Sequence, residues 1–188
     1  GALHGRAADW YEQNGFVNEA ITHALAATDY PTVLRLLEEI FVLSVNEGKV
    51  PNLVRWLNQL PEAQLRTSPR LCLASAWSLL WWSSAGERAR SWDTIAAWLQ
   101  TAEQTLVADA PQTAAVRAEI LMVRANVASI RDDFAATLDL AQQALVALPP
   151  ASPWRGLMTM FLGEAHLMMG NAAIAEKTLA AAVAMSPR

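Results

Sequence analysis

One set of spacings between small residues occurs three times in this chain, and it constrains the fold more than any other feature. From a starting residue, the steps are three, four, five, four and three residues. The three runs are Ala8, Tyr11, Gly15, Ala20, Ala24 and Ala27; Ala125, Ala128, Asp132, Thr137, Ala141 and Ala144; and Gly163, His166, Gly170, Ala175, Leu179 and Ala182. Repetition of this kind is typical of helical repeat proteins.

Each step has a physical reason in a hairpin of two helices. A small residue midway along the first helix lets the second helix cross closely, and the Gly or Asp that follows supplies a tight turn with positive φ. The alanines of the second helix share one face, because residues three and four apart are neighbours on a helix. Pro149 and Pro187 stand five residues after the second and third runs, where proline stops a helix. The spacings therefore predict an all-α fold of antiparallel helical hairpins, stacked as a tetratricopeptide-like (TPR-like) right-handed superhelix, an α-α solenoid.

The rest of the chain extends this pattern to five hairpins. We predict helices over 3–14, 17–28, 31–47, 50–60, 69–85, 90–108, 112–131, 134–148, 153–169 and 171–185, and no strand pattern competes. Breaks are predicted at Gly48, Pro61, Pro69, Gly86, Pro111, 149–153 and Gly170, residue types that separate helices. In the two middle hairpins, Phe41 and Leu79 stand where a small residue should precede the turn glycines. These hairpins should cross less regularly, and the superhelix could bend near 61–69.

Composition places the chain among folded proteins without a membrane span. Apolar residues make up 53% and charged residues 17% of the 188 residues, too apolar for a disordered chain. No apolar run approaches the roughly 18 residues of a membrane helix, and no signal peptide begins the sequence. We expect a cytoplasmic protein and a single domain over 1–188, with family-specific hairpins over 1–61 and TPR-like hairpins over 62–188. Because the chain begins without methionine in a helical pattern and ends directly after a helix, we expect a segment of a longer protein.

Charge and cysteine content argue against nucleic-acid binding by this segment and exclude an internal disulfide. The formal net charge is −4, and Lys49 and Lys177 are the only lysines, so this segment lacks the clustered positive charge that binds nucleic acid. The lone Cys72 has no internal partner for a disulfide, and its neighbours Leu71 and Leu73 indicate a buried helical residue.

The opening half resembles a known family of regulators. The stretches LHGRAADWYEQNGFVNEAITHALAATDYPTVLRLLEE, LVRWLNQLP and SPRLCLASAWSLL are similar to the helical region of MalT-like, large ATP-binding regulators of the LuxR family. In that family a Trp-Leu pair ends one helix and an Ala-Trp pair lies in the next. The resemblance covers residues 3–82 closely and the rest as generic TPR repeats. It implies a P-loop ATPase before this region and a helix-turn-helix after it, although the chain has no GxxxxGK[ST] motif.

Superhelices of this kind bind ligands on the concave face, which the first helix of each hairpin lines. That geometry predicts a ligand or partner groove formed by Arg70, Trp77, Trp81, Glu119, Met122, Asn126, Met160, Glu164 and Met168. Aromatic faces, thioethers and a few polar groups suit a partly apolar ligand or a peptide.

Three residue groups leave a choice between packing and binding. Trp56 and Trp98 are expected in the core, whereas adjacent Trp81 and Trp82 point about 100° apart, so one of them should line a groove or contact surface. The other two of these three groups are expected to be structural. Arg117, Arg124 and Arg131 form one stripe, read either as a receptor for an acidic ligand or, preferably, as a solvated face; Asp132 and Asp133 precede a helix, where a carboxylate caps free amides.

Catalysis is not expected. His4, His23 and His166 are widely separated and lie outside any HExxH or Cys/His cluster, so we predict no metal site, no cofactor and no catalytic residue in this segment.

Two functions fit these features. The first is the helical sensor and protein-interaction domain of a MalT-like LuxR-family transcriptional regulator. It would bind a small-molecule effector or a regulatory protein, self-associate, and couple binding to ATPase and DNA-binding domains outside this chain, with no contact of its own to nucleic acid or membrane. The alternative is a free-standing TPR adaptor that docks a peptide or partner protein. The opening block over 3–60 favours the first.

Overall fold

The computed structural model describes residues 1–46, 50–81, 86, 91–107, 113–152 and 154–185, and for 42–46, 50 and 81 it describes the backbone alone. Within these ranges the chain is all-α, which confirms the predicted fold class. In chain order the helices are α1 (Ala2–Gln13), α2 (Val17–Ala27), α3 (Tyr30–Asn46), α4 (Val50–Leu57), α5 (Glu62–Leu65), α6 (Pro69–Trp81), α7 (Trp92–Gln104), α8 (Thr113–Ile130), α9 (Phe134–Ala147), α10 (Trp154–Met168) and α11 (Ala172–Met185).

Apart from shifts of a few residues at helix ends, two features differ from the predicted helices. The short helix α5 occupies the segment between Pro61 and Pro69 that the sequence left without a helix. Gly86 is itself helical rather than a turn residue, so the prediction of a break at that residue is wrong; a lone glycine costs a helix only about 1 kcal/mol relative to alanine, which does not by itself end a helix. The predicted breaks at Gly48 and Pro111 lie outside the described residues.

The chain divides into two compact units, residues 1–105 and 106–188. The single domain expected over 1–188, with family-specific hairpins over 1–61 and TPR-like hairpins over 62–188, stays a prediction. In the first unit α1 packs on α2 and α6 on α7, while α3 contacts α2, α4, α5 and α6. Helix α3 therefore has several partners, and the less regular crossing predicted for the middle hairpins stays a prediction.

The second unit consists of two hairpins. Helix α8 packs on α9 and α10 packs on α11, while α10 also contacts both α8 and α9. The sequence predicted these four helices and their pairing. The predicted superhelical stacking of all five hairpins stays a prediction.

The residues of the repeated spacing occupy the places that the hairpin geometry requires. Ala20 and Ala24 in α2 and Ala141 and Ala144 in α9 are fully buried. The turn positions Gly15, Asp132 and Gly170 have φ values of 79°, 59° and 81°, in the left-handed region. The sequence spacing therefore marks both the helix crossings and the turns.

Side-chain caps fix two helix starts. Asp133 accepts a hydrogen bond from the amide of Ala136 at 3.1 Å at the start of α9, which confirms its predicted capping role. Asp29 does the same before α3, accepting from the amide of Thr32 at 3.3 Å and from its hydroxyl at 2.7 Å. Each cap satisfies a donor that the first helical turn leaves unpaired.

The core of the first unit contains large apolar side chains of α3, α4, α6 and α7. Trp56 and Trp98 are 2% and 7% exposed, so their predicted core role is confirmed. Cys72 on α6 is fully buried, also as predicted. In the described ranges, no helix is both long and apolar enough to span a membrane.

Candidate functional site

Six of the nine residues predicted to line the groove lie on the first helices of the two hairpins in the second unit. On α8, Glu119, Met122 and Asn126 follow one stripe, because residues three and four apart share a helix face. All three side chains are buried. They form the inner part of this candidate site.

The α10 residues of the same prediction are accessible. Met160 and Met168 are 40% and 59% exposed, and Glu164 between them is exposed as well. The hydroxyl of Ser129 on α8 donates a hydrogen bond to Oε2 of Glu164 at 3.2 Å. This bond joins the buried stripe of α8 to the open stripe of α10. Ser129 was not among the predicted residues, although it lies three residues after Asn126.

Two buried nitrogen atoms near these stripes have no hydrogen-bond partner among the described residues. They are Nδ2 of Asn126 and Nδ1 of His166. A buried polar atom without a partner costs about 1–3 kcal/mol, so such atoms mark places where water or a ligand group is expected. Asn126 combines this property with a place in the predicted groove.

An apolar cavity of about 320 Å³ opens between α10 and α11. It is lined by Gly156, Leu157, Met160, Leu179, Ala182 and Val183. Met160 thus belongs both to the predicted groove and to this cavity. The sequence analysis did not find the cavity, because its α11 wall consists of residues that read as ordinary helix-packing positions.

The other three predicted groove residues lie on α6 in the first unit. Trp77 is buried and Arg70 is partly buried. The side chain of Trp81, and Trp82 entirely, lie outside the described residues, so the expectation that one of them lines a surface is not tested. A single groove formed by all nine residues also stays a prediction.

Two arginines lie over tryptophan rings in the first unit. The Cζ of Arg66 lies 4.5 Å from the ring centroid of Trp98, and its guanidinium also bonds Glu62 and the hydroxyl of Thr101 at 2.7 Å. The Cζ of Arg55 lies 5.8 Å from the ring centroid of Trp56. Both distances are within the range of cation–π attraction.

The structure also shows a cleft that the sequence analysis missed, between α2 and α4. Its volume is about 250 Å³, and it is lined by Asn18, Glu19, Thr22, His23, Asn52, Arg55 and Trp56. The sequence contained part of the information, because the lining residues on α2 share one helix face and the lining residues on α4 share another. Nothing in the sequence indicated that these two faces meet.

Two histidines that the sequence analysis treated as separate are in contact. Nδ1 of His4 lies 2.8 Å from Nδ1 of His23, and the ring of His23 stacks on Tyr11 with centroids 5.2 Å apart. One ring must donate and the other accept, so the bond needs opposite roles for the two nitrogens. Across the part of the chain that the structure describes, no three or more His, Cys, Asp or Glu side chains group as metal ligands.

The arginine stripe of α8 is largely solvated. Arg117 and Arg131 are exposed, and Arg124 is partly buried. This arrangement agrees with the preferred interpretation of a solvated helix face.

Comparison with known proteins identifies related segments in much longer chains. No protein-family model matches this chain. It is 36% identical over 76 residues to the serine/threonine-protein kinase PknK of Mycobacterium tuberculosis, covering 40% of this chain and 7% of the kinase. It is 29% identical over 173 residues to the HTH-type transcriptional regulator MalT of Serratia proteamaculans, covering 91% of this chain and 18% of the regulator. For MalT of Cronobacter sakazakii the identity is 32% over 152 residues, covering 80% and 16%.

The chain spans less than a fifth of the length of each of these relatives. The similarity to MalT extends beyond residues 3–82, where the sequence resemblance was close, because an alignment of 173 residues must include much of the second unit. The similarity to a kinase was not foreseen. Over most of its length, this all-α chain is thus similar to a segment of the HTH-type transcriptional regulators called MalT.

Proposed function

We propose that this chain is the helical sensor and protein-interaction domain of a MalT-like, LuxR-family transcriptional regulator. It binds an effector or a regulatory protein and couples that event to ATPase and DNA-binding domains outside this chain. The observation that carries the proposal is the similarity to MalT over 91% of the chain. The shorter match to a protein named as a kinase supports a sensing or coupling role, because a segment shared by proteins with different outputs is not itself the output.

The effector site in this proposal is the pair of stripes on α8 and α10. Glu164 and Ser129 provide polar groups at its centre, and the Nδ2 of Asn126 is a buried donor that has no acceptor within the described ranges. Met160 connects these groups to the apolar cavity of about 320 Å³. A site with an apolar wall and a few placed polar groups is typical for small molecules, and thioethers adapt to irregular ligand shapes.

The burial of Asn126 supplies a means of coupling. A ligand that reaches its amide must separate the side chains that cover it, and a ligand that hydrogen-bonds Glu164 competes with Ser129. Both events change how α8 packs against α10. A ligand with higher affinity for the arrangement in which α8 and α10 are separated shifts the population toward that arrangement. The difference in binding free energy between the two arrangements is the coupling free energy available to the attached domains.

The test is a thermal-shift and tryptophan-fluorescence screen of this chain against small metabolites and short peptides. Any hit is measured again with Glu164→Gln and Met160→Ala, and with the matched controls Glu176→Gln and Met169→Ala, which change exposed residues of the same hairpin outside the two stripes. We expect a saturable hit that each of the first two substitutions weakens: about tenfold for Glu164→Gln, which removes one charge-assisted hydrogen bond, and by a similar factor for Met160→Ala, which removes apolar contact in the cavity. A saturable ligand that is equally sensitive to the controls, or insensitive to all four changes, contradicts this site.

A second candidate function is the docking of a peptide or partner protein. The observation in its favour is the exposed apolar surface of the last hairpin, which includes Met168, Met169, Ile174, Val183 and Met185. Large exposed apolar side chains usually mark an interaction site when they form a patch. In the same screen, peptide hits without metabolite hits, weakened by Val183→Ser and not by Glu164→Gln, favour this second function.

A further inference from the structure

The cleft between α2 and α4 in the first unit combines an aromatic wall with polar groups of both charges. Trp56 is almost fully buried and His23 is partly buried, while the other lining residues are exposed to solvent. The cleft shares no residue with the α8 and α10 stripes of the proposed effector site, because every lining residue belongs to residues 1–105.

The two charged residues of the cleft do not pair with other side chains of the described residues. The carboxylate of Glu19 has no ion pair in those ranges, and the guanidinium of Arg55 contacts the ring of Trp56 instead of an acid. This contact holds the guanidinium at the cleft by cation–π attraction. A cation and an anion are therefore both available to a ligand in one small cleft.

The neutral groups add hydrogen-bonding capacity. Asn18 and Asn52 are among the residues that line the cleft, and the side-chain amide of each offers one acceptor and two donors. The hydroxyl of Thr22 donates to the carbonyl of Asn18 at 2.9 Å, so its proton is already used. The amides can bind the uncharged polar atoms that lie between the charged ends of a ligand.

We propose that this cleft binds a small zwitterion, a molecule with one carboxylate and one ammonium group. Arg55 binds the carboxylate, since a guanidinium offers two parallel N–H donors to the two carboxylate oxygens. Glu19 binds the ammonium group. A volume of about 250 Å³ lies just below the range of pockets for drug-sized molecules, so the ligand has the size of an amino acid or a dipeptide.

The charge pattern selects against simpler ligands. A simple anion would bind Arg55 but lie close to the carboxylate of Glu19, and a simple cation would have the converse problem with Arg55. A neutral sugar would leave both charges without partners. Only a molecule with both charges gains from both residues, and repulsion of singly charged competitors contributes to specificity.

The experiment is isothermal titration calorimetry of the 188-residue chain with three ligand series: α-amino acids, longer ω-amino acids such as γ-aminobutyrate, and dipeptides. The series differ in the separation of the two charges and so measure the span of the site. We expect saturable binding by a member of at least one series. Glu19→Gln and Arg55→Gln should each weaken that binding about tenfold, whereas the control substitutions Glu176→Gln and Arg117→Gln in the second unit should not.

Blocked ligands assign the two ends. The N-acetylated form of the best ligand keeps only the carboxylate, so Arg55→Gln should weaken its binding, whereas Glu19→Gln should strengthen it by removing a repelling charge. The amide of its carboxylate keeps only the ammonium group and should show the reverse. Unchanged helical circular dichroism of each variant shows that the fold is retained. The absence of saturable binding in all three series up to about 10 mM, at which even weak millimolar affinity is detected, overturns the proposal, as does a ligand whose affinity neither cleft substitution changes.

Discussion

Gly163 on α10 lies so close to Leu179 on α11 that a Cβ atom at Gly163 would stand 2.6 Å from the Leu179 Cγ. The two residues belong to the repeated spacing, at its first and fifth positions. The close approach explains why the helix crossing of this hairpin needs glycine where the second hairpin run has Ala125.

We predict that Gly163→Ala destabilises the chain. Overpacking of a buried contact costs about 1–3 kcal/mol, which exceeds the gain of about 1 kcal/mol from replacing a helical glycine by alanine. The measurement is the free energy of unfolding in urea. Gly156→Ala on the same helix is the control: its Cβ would meet Met185 at an ordinary 3.5 Å, so that variant should be stabilised.

Leu179→Ala in the Gly163→Ala background should restore part of the lost stability, because it removes the atoms that clash. A Gly163→Ala protein as stable as the Gly156→Ala protein would contradict the close crossing of α10 and α11.

Asp132→Gly should stabilise the turn between α8 and α9. Asp132 has a φ of 59°, a conformation that costs an L-residue roughly 1 kcal/mol or more and costs glycine little. Urea unfolding should show a gain of up to about 1 kcal/mol, offset in part by the greater freedom of glycine in the unfolded chain. Asp139→Gly, in the interior of α9, should lose stability instead, because glycine disfavours a helix interior and the hydrogen bond from Gln143 to Asp139 is lost. Equal losses at both positions would show that Asp132 is not held in the left-handed region.

Removal of the cap on α9 should be measurable. Asp133→Ala deletes the acceptor for the amide of Ala136 and should cost about 1 kcal/mol in urea unfolding, whereas Asp133→Asn or Asp133→Ser should keep most of the stability. If Asp133→Asn is as damaging as Asp133→Ala, the contribution of Asp133 is its charge and not its hydrogen bond.

Cys72 should be protected from alkylation and should make stability fall at high pH. Burial raises the pKa of the Cys72 thiol to about 11, against an opposing effect of Arg66. Since the pKa of this group is higher in the folded chain than its ordinary value of 9.0, its contribution to stability is complete below that value and is lost as pH rises through about 11.

The measurement for Cys72 is urea unfolding at several pH values for the original chain and for Cys72→Ala, since their difference isolates the thiol from other groups that titrate in alkali. The loss of stability with rising pH should be smaller in Cys72→Ala. Rapid reaction of the folded chain with a thiol reagent at neutral pH would contradict the buried thiol, because the thiolate is the reactive form.

The sequence predicted those features of the fold that follow from helix geometry. Steps of three and four residues identified the buried faces around Ala24 and Ala144, and Gly15, Asp132 and Gly170 identified the turns. Core positions for Trp56 and Trp98 followed from the strong tendency of tryptophan to be buried. Each of these inferences concerns residues within one helix or one hairpin.

Contacts between helices that are distant in sequence were not predictable. The cleft brings Glu19 together with Arg55, and the His4–His23 bond joins two helices. Both contacts depend on the angle of each helix about its own axis. Hydrophobic periodicity indicates that angle only approximately. The buried stripe of α8 shows the same limit. Sequence spacing placed Glu119, Met122 and Asn126 on one helix face. It did not predict that all three side chains are buried, because their burial depends on the packing of other helices on that face.

The turns inside the two hairpins of the second unit have a consequence for how such chains gain or lose length. Ala125 and Gly163 occupy equivalent positions 38 residues apart, and the turns that follow them share left-handed backbone angles. Deletion or duplication of that whole interval leaves every helix face in phase with its neighbours. A single residue inserted within a helix instead rotates all side chains beyond it by about 100°, so evolution is expected to lengthen this architecture in units of whole hairpins.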